Sequence, residues 1–343
     1  MEHKFIDDLL YSQIDFNEYN IAIIGFGKMG ILHAGILNLL KPNIVKFIVE
    51  KSKLIIKGGS LLIKSVKFVE DLNSLTDVNA IYITTPTNTH YPLIMDALKM
   101  GINYIFVEKP PAPTYEETLK ILDLQPKIVM VGLQKRYSLP FRHAKLLLDN
   151  HVVGDIEGIS AYIRSGDILT QTDRFERVKR GVLLDLGIHL VDLLCWLFGK
   201  MDINYASYKS MYSGVDDYFD AELLFNKSII KMNATWSDSN TRIPTTYVDV
   251  KGSNGFLRVT EDYLKVELKE AHRLLSDNTK LEMYKPNYYQ GFPPVNLADP
   301  EYTIEDMHFL NCLENNKEPI TNLNKVTESM ELIENLYKRA QND

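Results

Sequence analysis

The chain has little cysteine and no excess of basic residues, and both absences narrow what it can be. Only Cys195 and Cys312 occur among 343 residues, too far apart for the paired spacing of a thiolate metal site. Lysine and arginine total 38 against 45 aspartate and glutamate residues, which gives a net charge of −7. This charge offers no basic field for nucleic acid or an anionic membrane surface. We therefore expect no metal, nucleic acid or membrane partner.

Long uncharged apolar runs are also missing. The most apolar stretch, residues 183–198, contains Asp185, His189 and Asp192, which a bilayer would penalise. The first eight residues carry acidic groups and lack the apolar core of a signal peptide. Together with the scarcity of cysteine, these features favour a cytoplasmic protein.

The length and the hydrophobic content of 45% suit two globular domains, after an unassigned extension at residues 1–19. Over residues 20–133, short apolar runs alternate with amphipathic helical patterns, which predicts a Rossmann domain with a doubly wound parallel sheet. Over residues 134–343, an apolar helix precedes several alternating strands and two closing helices. That order favours an α+β domain with a mainly antiparallel open sheet.

The predicted elements follow from these patterns. We predict strands at 21–24, 44–49, 66–68, 80–84, 104–107, 127–131, 205–212, 218–225, 229–236 and 247–251. We predict helices at 31–40, 91–100, 114–124, 140–150 and 182–198. Capping boxes beginning at Thr114 and Thr303 each indicate the start of a helix, and Val326 to Leu336 mark the last one.

A glycine-rich segment, GFGKMG at residues 25–30, directly follows the first predicted strand. This placement predicts a dinucleotide site, because the turn brings backbone close to a pyrophosphate and the next helix supplies free N–H groups. Glu50 ends the second strand, where a carboxylate can accept bonds from both ribose hydroxyls and repel a 2′-phosphate. The site therefore favours NAD, although residues 51–53 are also compatible with NADP. A glycine-rich turn beside a solvated glutamate is the alternative.

Two further segments follow predicted strands, at the edge where open α/β sheets bind ligands. They are TTPTNTH at residues 84–90 and EKPP at residues 108–111. Taken alone, Lys109 is also compatible with a solvated loop. The two prolines after it stiffen the backbone, and Pro110 is a candidate for a cis bond.

In the predicted helix at 182–198, Asp185, His189 and Asp192 are the only ionisable groups of an otherwise apolar run. Their i, i+4, i+7 spacing puts them on one stripe. Buried ionisable groups need partners or a cavity, so the stripe predicts a functional site. A self-satisfied polar network in the core is the alternative. Imidazole is suited to proton transfer near neutral pH.

Four segments together resemble the Gfo/Idh/MocA oxidoreductase family, which includes glucose–fructose oxidoreductases and inositol dehydrogenases. They are GFGKMG at 25–30, TPTNTH at 85–90, EKP at 108–110 and GVLLDLGIHLVD at 181–192, in the family's order. The resemblance implies that His189 is the acid/base, that Lys109 bonds the reacting oxygen, and that Asp185 binds a neighbouring hydroxyl. It leaves open whether Lys109 or His189 carries the proton. It also implies a homodimer or homotetramer paired through the open sheet.

The candidate site residues combine the patterns and the resemblance. The cofactor-binding candidates are Gly25, Phe26, Gly27, Lys28, Met29, Gly30, Glu50, Lys51, Thr85, Pro86, Asn88, His90, Glu108, Lys109 and Gln134. The substrate-binding candidates are Lys109, Arg136, Tyr137, Arg164, Asp185 and His189. Gln134 replaces the asparagine or histidine that is commoner in the family, so ordinary packing is its alternative.

Basic residues cluster before the apolar helix. They are Arg164, Arg174, Arg177, Lys179 and Arg180. A solvated surface is one interpretation of this cluster, and a grip on a phosphate or carboxylate of the substrate is the other. Residues 136–140 and 177–192 also resemble the branch that acts on nucleotide sugars. The leading hypothesis is therefore NAD(P)-dependent hydride transfer at a secondary hydroxyl of a sugar, in particular a nucleotide-linked one. The alternatives are a free sugar or a polyol such as inositol, and a non-catalytic protein that senses NAD(P).

Overall fold

The structure, a computed structural model, describes residues 19–172, 180–241, 243–285 and 300–342. The chain forms two compact units. Unit 1 comprises Met1–Gln134 and Asn287–Thr327, and unit 2 comprises Lys135–Pro286 and Glu328–Asp343. Apart from Tyr19, the predicted extension at 1–19 lies outside the described residues.

Unit 1 is built on a six-stranded parallel sheet. Its strands are β1 Ile21–Ile24, β2 Val45–Val49, β3 Lys67–Val69, β4 Ala80–Ile83, β5 Tyr104–Glu108 and β6 Ile128–Gly132, in the spatial order β3-β2-β1-β4-β5-β6. Its helices are α1 Lys28–Leu40, α2 Lys53–Leu62, α3 His90–Lys99, α4 Tyr115–Leu122 and α8 Pro300–Asn315. The chain order reverses between β1 and β4, and ligands of such sheets bind at the carboxyl ends of the strands beside that point.

Strands β1, β4 and β6 of unit 1 are buried along their length, which explains their nearly continuous apolar sequence. All four residues of β1 and of β4 are buried, and so are all five of β6. Helices on the sheet remove both faces from water, so no polar alternation is needed. Helix α8, from the far end of the chain, packs against α1.

Unit 2 contains an eight-stranded mixed sheet. Its strands are β7 Ile156–Arg164, β8 Asp202–Lys209, β9 Tyr218–Phe225, β10 Ser228–Thr235, β11 Thr245–Gly252, β12 Gly255–Thr260, β13 Tyr263–His272 and β14 Asn278–Tyr284, in the order β14-β13-β12-β11-β7-β10-β9-β8. Only the pairing of β7 with β10 is parallel among these strands. The helices are α5 Leu139–Asp149, α6 Val182–Asp185 and α7 Gly187–Phe198, and a last helix, α9, spans Leu323–Asn342.

One face of this sheet is covered by helices. Helix α5 contacts β12 and β13, and α7 contacts β7 and β10. Buried and exposed residues alternate along β9 and β10, as expected when a sheet has one packed face. The predicted fold class, a Rossmann parallel sheet followed by a mainly antiparallel α+β domain, is confirmed. The domain limits at 20–133 and 134–343 stay a prediction, and the described residues 300–327 group with the first sheet.

Several element predictions were wrong. Helix α2 and strands β7, β12, β13 and β14 were not predicted. The predicted helix at 182–198 is two helices that break at Leu186, where the His189 N–H bonds the Leu186 carbonyl at 3.2 Å. Thr303 does not open a helix, since α8 already begins at Pro300. The capping box at Thr114 is confirmed, because its hydroxyl accepts from the Glu117 N–H at 3.2 Å.

Candidate functional site

The glycine turn between β1 and α1 has the backbone geometry of an anion cradle. Gly25 has φ +90°, a left-handed conformation that favours glycine. Helix α1 begins after Gly27 without a side-chain cap and without an acidic residue in its first turn. Its first N–H groups and its positive dipole end therefore remain available to a negative ligand.

The other two glycines of this turn serve different purposes. A Cβ on Gly30 would lie 2.1 Å from the Gly25 carbonyl oxygen, so the turn closes only without a side chain there. A Cβ on Gly27 would meet nothing within 4 Å, which leaves open space beside the backbone. The Thr84 hydroxyl donates to the Gly25 carbonyl at 2.8 Å and braces the turn from the neighbouring strand β4. These residues fit the pyrophosphate of a dinucleotide, as the sequence predicts.

Glu50 directly follows β2, and its carboxylate is fixed by backbone N–H groups. One oxygen accepts from the Phe26 N–H at 2.9 Å, inside the glycine turn. The other accepts from the Lys51 and Ser52 N–H groups at 2.8 and 2.9 Å. The carboxylate is thus held beside the turn, where it can also receive bonds from ribose hydroxyls. Among the other candidates here, Lys28 and Lys51 are exposed and Met29 is half-buried.

The segment after β4 connects to the segment after β5 through one histidine. His90 is buried, and its Nδ1 and Nε2 each lie 2.7 Å from a carbonyl oxygen, that of Pro110 and that of Thr85. Burial lowers the pKa of His90, although its two carbonyl partners oppose the shift. His90 therefore ties together the two loops that hold the candidates Thr85 and Lys109, while Pro86 and Asn88 lie within the first loop.

Lys109 directly follows β5, and the Lys109–Pro110 peptide bond is cis. Its backbone N–H donates to the Glu108 carboxylate at 3.2 Å. The other oxygen of that carboxylate lies 3.2 Å from Nε2 of His33, on helix α1. Glu108, a cofactor-binding candidate, is thus engaged with protein groups on both sides.

His33 belongs to a buried cluster of ionisable groups that the sequence did not single out. Its Nδ1 lies 2.9 and 3.0 Å from the two oxygens of Asp306 on α8. Burial alone would lower the pKa of His33, but the carboxylates of Asp306 and Glu108 outweigh it and raise that pKa to about 10. Burial and the Glu108 carboxylate raise the pKa of the neighbouring Glu305 well above its usual range. His33 and Asp306 are 273 residues apart, so no local pattern could pair them.

In unit 2, Asp185, His189 and Asp192 have different surroundings. Asp185 ends α6 and is half-buried, whereas the exposed fractions of His189 and Asp192 are 6% and 1%. The Asp192 carboxylate accepts from Arg136 Nε and a terminal nitrogen, both at 2.7 Å, and from the Ser329 hydroxyl at 3.1 Å. The alternative of a satisfied core network therefore describes Asp192. Arg136, a substrate-binding candidate, is buried in that ion pair.

Asp216 is a supporting residue that sequence reasoning missed. Its carboxylate accepts from the Gly181 and Leu183 N–H groups at 2.7 and 2.9 Å and thereby caps α6, which carries Asp185. The Tyr337 hydroxyl donates to the same carboxylate at 3.1 Å. Burial raises the pKa of Asp216 to about 6. No capping pattern in the sequence links residues so far apart, so the role of Asp216 is visible only in the fold.

The remaining candidates near residue 134 are mostly held by protein partners. The Gln134 amide donates to the Tyr302 hydroxyl at 3.1 Å within unit 1. In unit 2, Tyr137 is buried and the neighbouring Lys135 forms an ion pair with Glu261. These contacts agree with the packing role that was the alternative for this segment.

Part of the predicted basic cluster can be placed. Arg164 is half-buried and stacks over Tyr162 at 4.3 Å from the ring centre. Arg180 bonds Glu334 at 2.6 Å and stacks over Tyr337 at 4.9 Å. Arg174, Arg177 and Lys179 lie outside the described residues.

The described residues show neither a cluster of metal-binding side chains nor a helix that could span a membrane. They contain no group of three or more histidine, cysteine, aspartate or glutamate side chains that could hold a metal ion. Within the same ranges, every helix is too short or too polar to cross a membrane.

Two family models match the chain. A model described as an oxidoreductase family with an NAD-binding Rossmann fold matches residues 19–133. A second, described as the C-terminal alpha/beta domain of an oxidoreductase family, matches residues 145–343.

The chain is similar to several curated proteins, each over part of that protein's length. The chain is 24% identical over 204 residues to the rhizopine catabolism protein MocA of Rhizobium meliloti, covering 57% of this chain and 63% of that protein. It is 26% identical over 186 residues to myo-inositol 2-dehydrogenase of Thermotoga maritima, covering 52% and 55%. It is 25% identical over 230 residues to the NADP(+)-dependent scyllo-inositol 2-dehydrogenase IolW of Bacillus subtilis, covering 64% and 63%. The chain thus spans less than two thirds of the length of each relative.

Solved structures have the same fold as this chain over nearly its whole length. Levoglucosan dehydrogenase in complex with NADH and levoglucosan superposes with a TM-score of 0.80 at 18% identity, covering 95% of this chain and 98% of that one. An oxidoreductase from Agrobacterium radiobacter in complex with NAD+, L-tartaric acid and magnesium gives a TM-score of 0.80 at 18% identity, covering 95% and 97%.

Proposed function

This chain belongs to the Gfo/Idh/MocA oxidoreductase family, and on that premise we propose that it transfers hydride between a nicotinamide cofactor and a secondary hydroxyl or keto group of a free sugar or polyol. The main support is the glycine turn, whose φ of +90° at Gly25 and open backbone at Gly27 suit a dinucleotide in a chain that both family models match. The inositol dehydrogenases among its relatives support the substrate class.

A nucleotide-linked sugar, the leading hypothesis from the sequence, has lost support. Arg136 and Arg180 are paired with the carboxylates of Asp192 and Glu334, so they are committed to the protein instead of to a substrate phosphate. The relatives named above act on inositols or carry names without a nucleotide sugar. We therefore place the free sugar or polyol first.

NAD is the proposed cofactor, held by the glycine turn at residues 25–30 and by Glu50. The Glu50 carboxylate would repel the 2′-phosphate of NADP, and three backbone N–H groups prevent it from turning away. The relative IolW carries NADP(+) in its name, so NADP belongs in every assay as the competing cofactor. When bound, the cofactor supplies the hydride acceptor.

The protein must then move a proton and hold the alcohol. In this proposal His189 takes the hydroxyl proton, because an imidazole is suited to that transfer near neutral pH. Lys109 binds the reacting oxygen and stabilises negative charge on it as the hydride leaves. Asp185 accepts a bond from a neighbouring hydroxyl and fixes the orientation of the ring.

Turnover and its dependence on the two proposed catalytic side chains test this function. We expect NADH formation with at least one inositol, free hexose or anhydrosugar, and little with UDP-sugars. Lys109→Ala and His189→Ala should each lower kcat by roughly 100-fold or more, the usual scale of acid–base catalysis, with NAD binding retained.

The outcomes separate the competing functions. Activity confined to UDP-sugars would restore the nucleotide-linked hypothesis. Tight NAD binding without turnover on any sugar would support a sensor. Near-normal kcat in either alanine variant would remove that residue from the catalytic group.

A further inference from the structure

Three groups from distant parts of the chain meet inside unit 1. His33 comes from α1, Glu108 from the end of β5, and Asp306 from α8. Nδ1 of His33 lies 2.9 Å from an Asp306 oxygen, and Nε2 lies 3.2 Å from a Glu108 oxygen. His33 and Asp306 are fully buried, and the Glu108 side chain is 12% exposed.

The chemistry of the partners determines the charge of the ring. Both nitrogens of His33 face carboxylate oxygens, and an ionised carboxylate only accepts hydrogen bonds. When both carboxylates are ionised, both nitrogens must therefore donate, and the ring is then an imidazolium. The raised pKa of His33 agrees with this, and burial raises the pKa of the neighbouring Glu305, so that carboxyl holds its proton more tightly than usual.

Aromatic rings surround the imidazolium and hold it in place. The ring centres of Phe106 and Tyr82 lie 4.8 and 5.4 Å from that of His33, and Tyr302 lies at 6.3 Å. Tyr82 stacks on Phe106 at 4.6 Å. In such a packed site the ring has little freedom to turn, so its two hydrogen bonds keep fixed directions.

Glu108 links the fixed ring of His33 to the backbone of Lys109. One of its oxygens faces His33, and the other accepts the backbone N–H of Lys109 at 3.2 Å. Gly132, on the adjacent strand β6, leaves room for that carboxylate, since a Cβ there would lie 3.2 Å from the Glu108 oxygen. The carboxylate is therefore clamped between a buried cation and the backbone from which the Lys109 side chain departs.

We propose that His33 and Asp306 are positioning residues, which act through Glu108 to hold the backbone of Lys109 in place for reaction. This inference rests on the proposed catalytic role of Lys109. If His33 and Asp306 only held α1 and α8 together, their contact would be explained. The further contacts from His33 to Glu108, and from Glu108 to the Lys109 N–H, would not. A misplacement of about 1 Å can cost on the order of 100-fold in rate, so a remote clamp of this kind has a measurable effect.

A double-mutant cycle tests the coupling. His33→Gln can no longer donate to both carboxylates, and we expect kcat to fall by roughly 10- to 100-fold with the KM for NAD changed less than about threefold. Glu108→Gln should produce a similar loss. The double variant should be no slower than Glu108→Gln alone, because His33 acts only through that carboxylate. Asp306→Asn, which keeps the shape of the side chain, serves the same cycle if His33→Gln does not fold.

A readout without substrate separates this inference from the proposed function. We expect the amide of Lys109 to exchange its hydrogen at least about tenfold faster in His33→Gln and in Glu108→Gln, with the Phe106 amide still protected. His308→Gln is the matched control, because His308 is another buried histidine of unit 1, on the same helix as Asp306, whose Nε2 accepts from the Ile320 N–H at 2.9 Å. It should lower stability and leave both the kcat and the Lys109 amide unchanged.

The outcomes are distinguishable. If the Lys109 amide exchanges at the wild-type rate in His33→Gln, or if the two substitutions lower kcat additively, the positioning role is wrong. If the amide is released as expected but Lys109→Ala keeps its turnover, the clamp stands and the proposed catalytic role of Lys109 fails.

Discussion

At the scale of single residues, two glycines of the turn at residues 25–30 are needed for different reasons, one for packing and one for ligand binding. Gly30 is required for folding, because its absent side chain lets the helix approach the Gly25 carbonyl. Gly27 borders open space and is required only if a ligand fills that space. The same motif thus contains a packing glycine and a binding glycine, and substitution by alanine distinguishes them.

We predict different effects for Gly27→Ala and Gly30→Ala. Gly30→Ala should lower the free energy of unfolding by about 1–3 kcal/mol, because the new Cβ meets backbone that cannot rotate away. Gly27→Ala should leave that free energy nearly unchanged and weaken NAD binding at least about tenfold. Calorimetric NAD titration and urea unfolding measure both quantities.

Gly58→Ala is the matched control for this pair. Gly58 lies in helix α2, and a Cβ there would meet nothing within 4 Å. The substitution should stabilise the helix slightly and leave NAD binding unchanged. Equal NAD affinity of Gly27→Ala and the wild type would show that the open space at Gly27 is not used by the cofactor.

At the scale of elements, a buried ion pair fixes helix α7 to residues 135–137, a short turn within unit 2. Arg136 and Asp192 form a bidentate pair, and their side chains are 4% and 2% exposed. Two buried charges have lost their hydration, so each depends on the other. The pair therefore sets where α7, the helix that carries His189, lies against the turn.

We predict that Asp192→Ala lowers the free energy of unfolding by about 3–5 kcal/mol, because it leaves the Arg136 charge buried without its partner. The double substitution Arg136→Met with Asp192→Leu should recover most of that loss, since an apolar pair of similar size needs no compensation. Urea unfolding of unit 2, followed by tryptophan fluorescence, provides the values.

The pair Arg258–Asp249 is the control for this prediction. It has the same bidentate geometry at 2.7 and 2.8 Å, but the Arg258 side chain is 38% exposed. Asp249→Ala should therefore cost less than about 1 kcal/mol. If both alanine substitutions had the same cost, burial would not be the source of the stability of the Arg136–Asp192 pair.

At the scale of the whole molecule, the pH dependence of stability reflects buried groups whose pKa values are shifted from their usual ones. Asp306 and Glu108 raise the pKa of His33 to about 10 against the opposing effect of burial. Burial raises the pKa values of Asp306 and Glu305 as well. All three groups bind protons more tightly in the folded chain than in the unfolded one, so their contribution to stability decreases as pH rises.

We predict that the free energy of unfolding decreases between pH 6.5 and pH 8.5. The contribution of His33 is complete below its unfolded pKa of about 6.5 and is lost as pH rises toward 10, with a slope of about 1 kcal/mol per pH unit. His33→Gln should flatten this slope. Urea titrations at several pH values measure it.

The chosen window leaves out the titration of the two thiols and of His90. Burial raises the pKa values of Cys195 and Cys312 to about 12, so the thiols contribute only above the unfolded cysteine pKa of about 8.5. The lowered pKa of His90 affects stability below about pH 6.5, with the opposite sign. An unchanged slope in His33→Gln would show that the imidazolium is not the source.

The sequence by itself determined the parts of this protein that depend on local pattern. Continuous apolar runs predicted the parallel strands, the glycine spacing predicted the turn at 25–30, and Thr114 predicted its helix, because each depends on neighbours within a few residues. Strand β7 was not predicted, because Gly158 interrupts the alternation of apolar and polar residues along it. The break at Leu186 was not predicted either, because helical periodicity alone does not show where the backbone hydrogen bonds change.

Only the tertiary structure decided which polar groups meet. Asp306 contacts His33, Asp216 caps α6, and Asp192 forms an ion pair with Arg136, which the sequence had suggested for substrate binding. Each contact joins segments between 33 and 273 residues apart. The partner of a buried charge is chosen by folding, since the free energy of burying it depends on what lies within about 3 Å in space and not on what adjoins it along the chain.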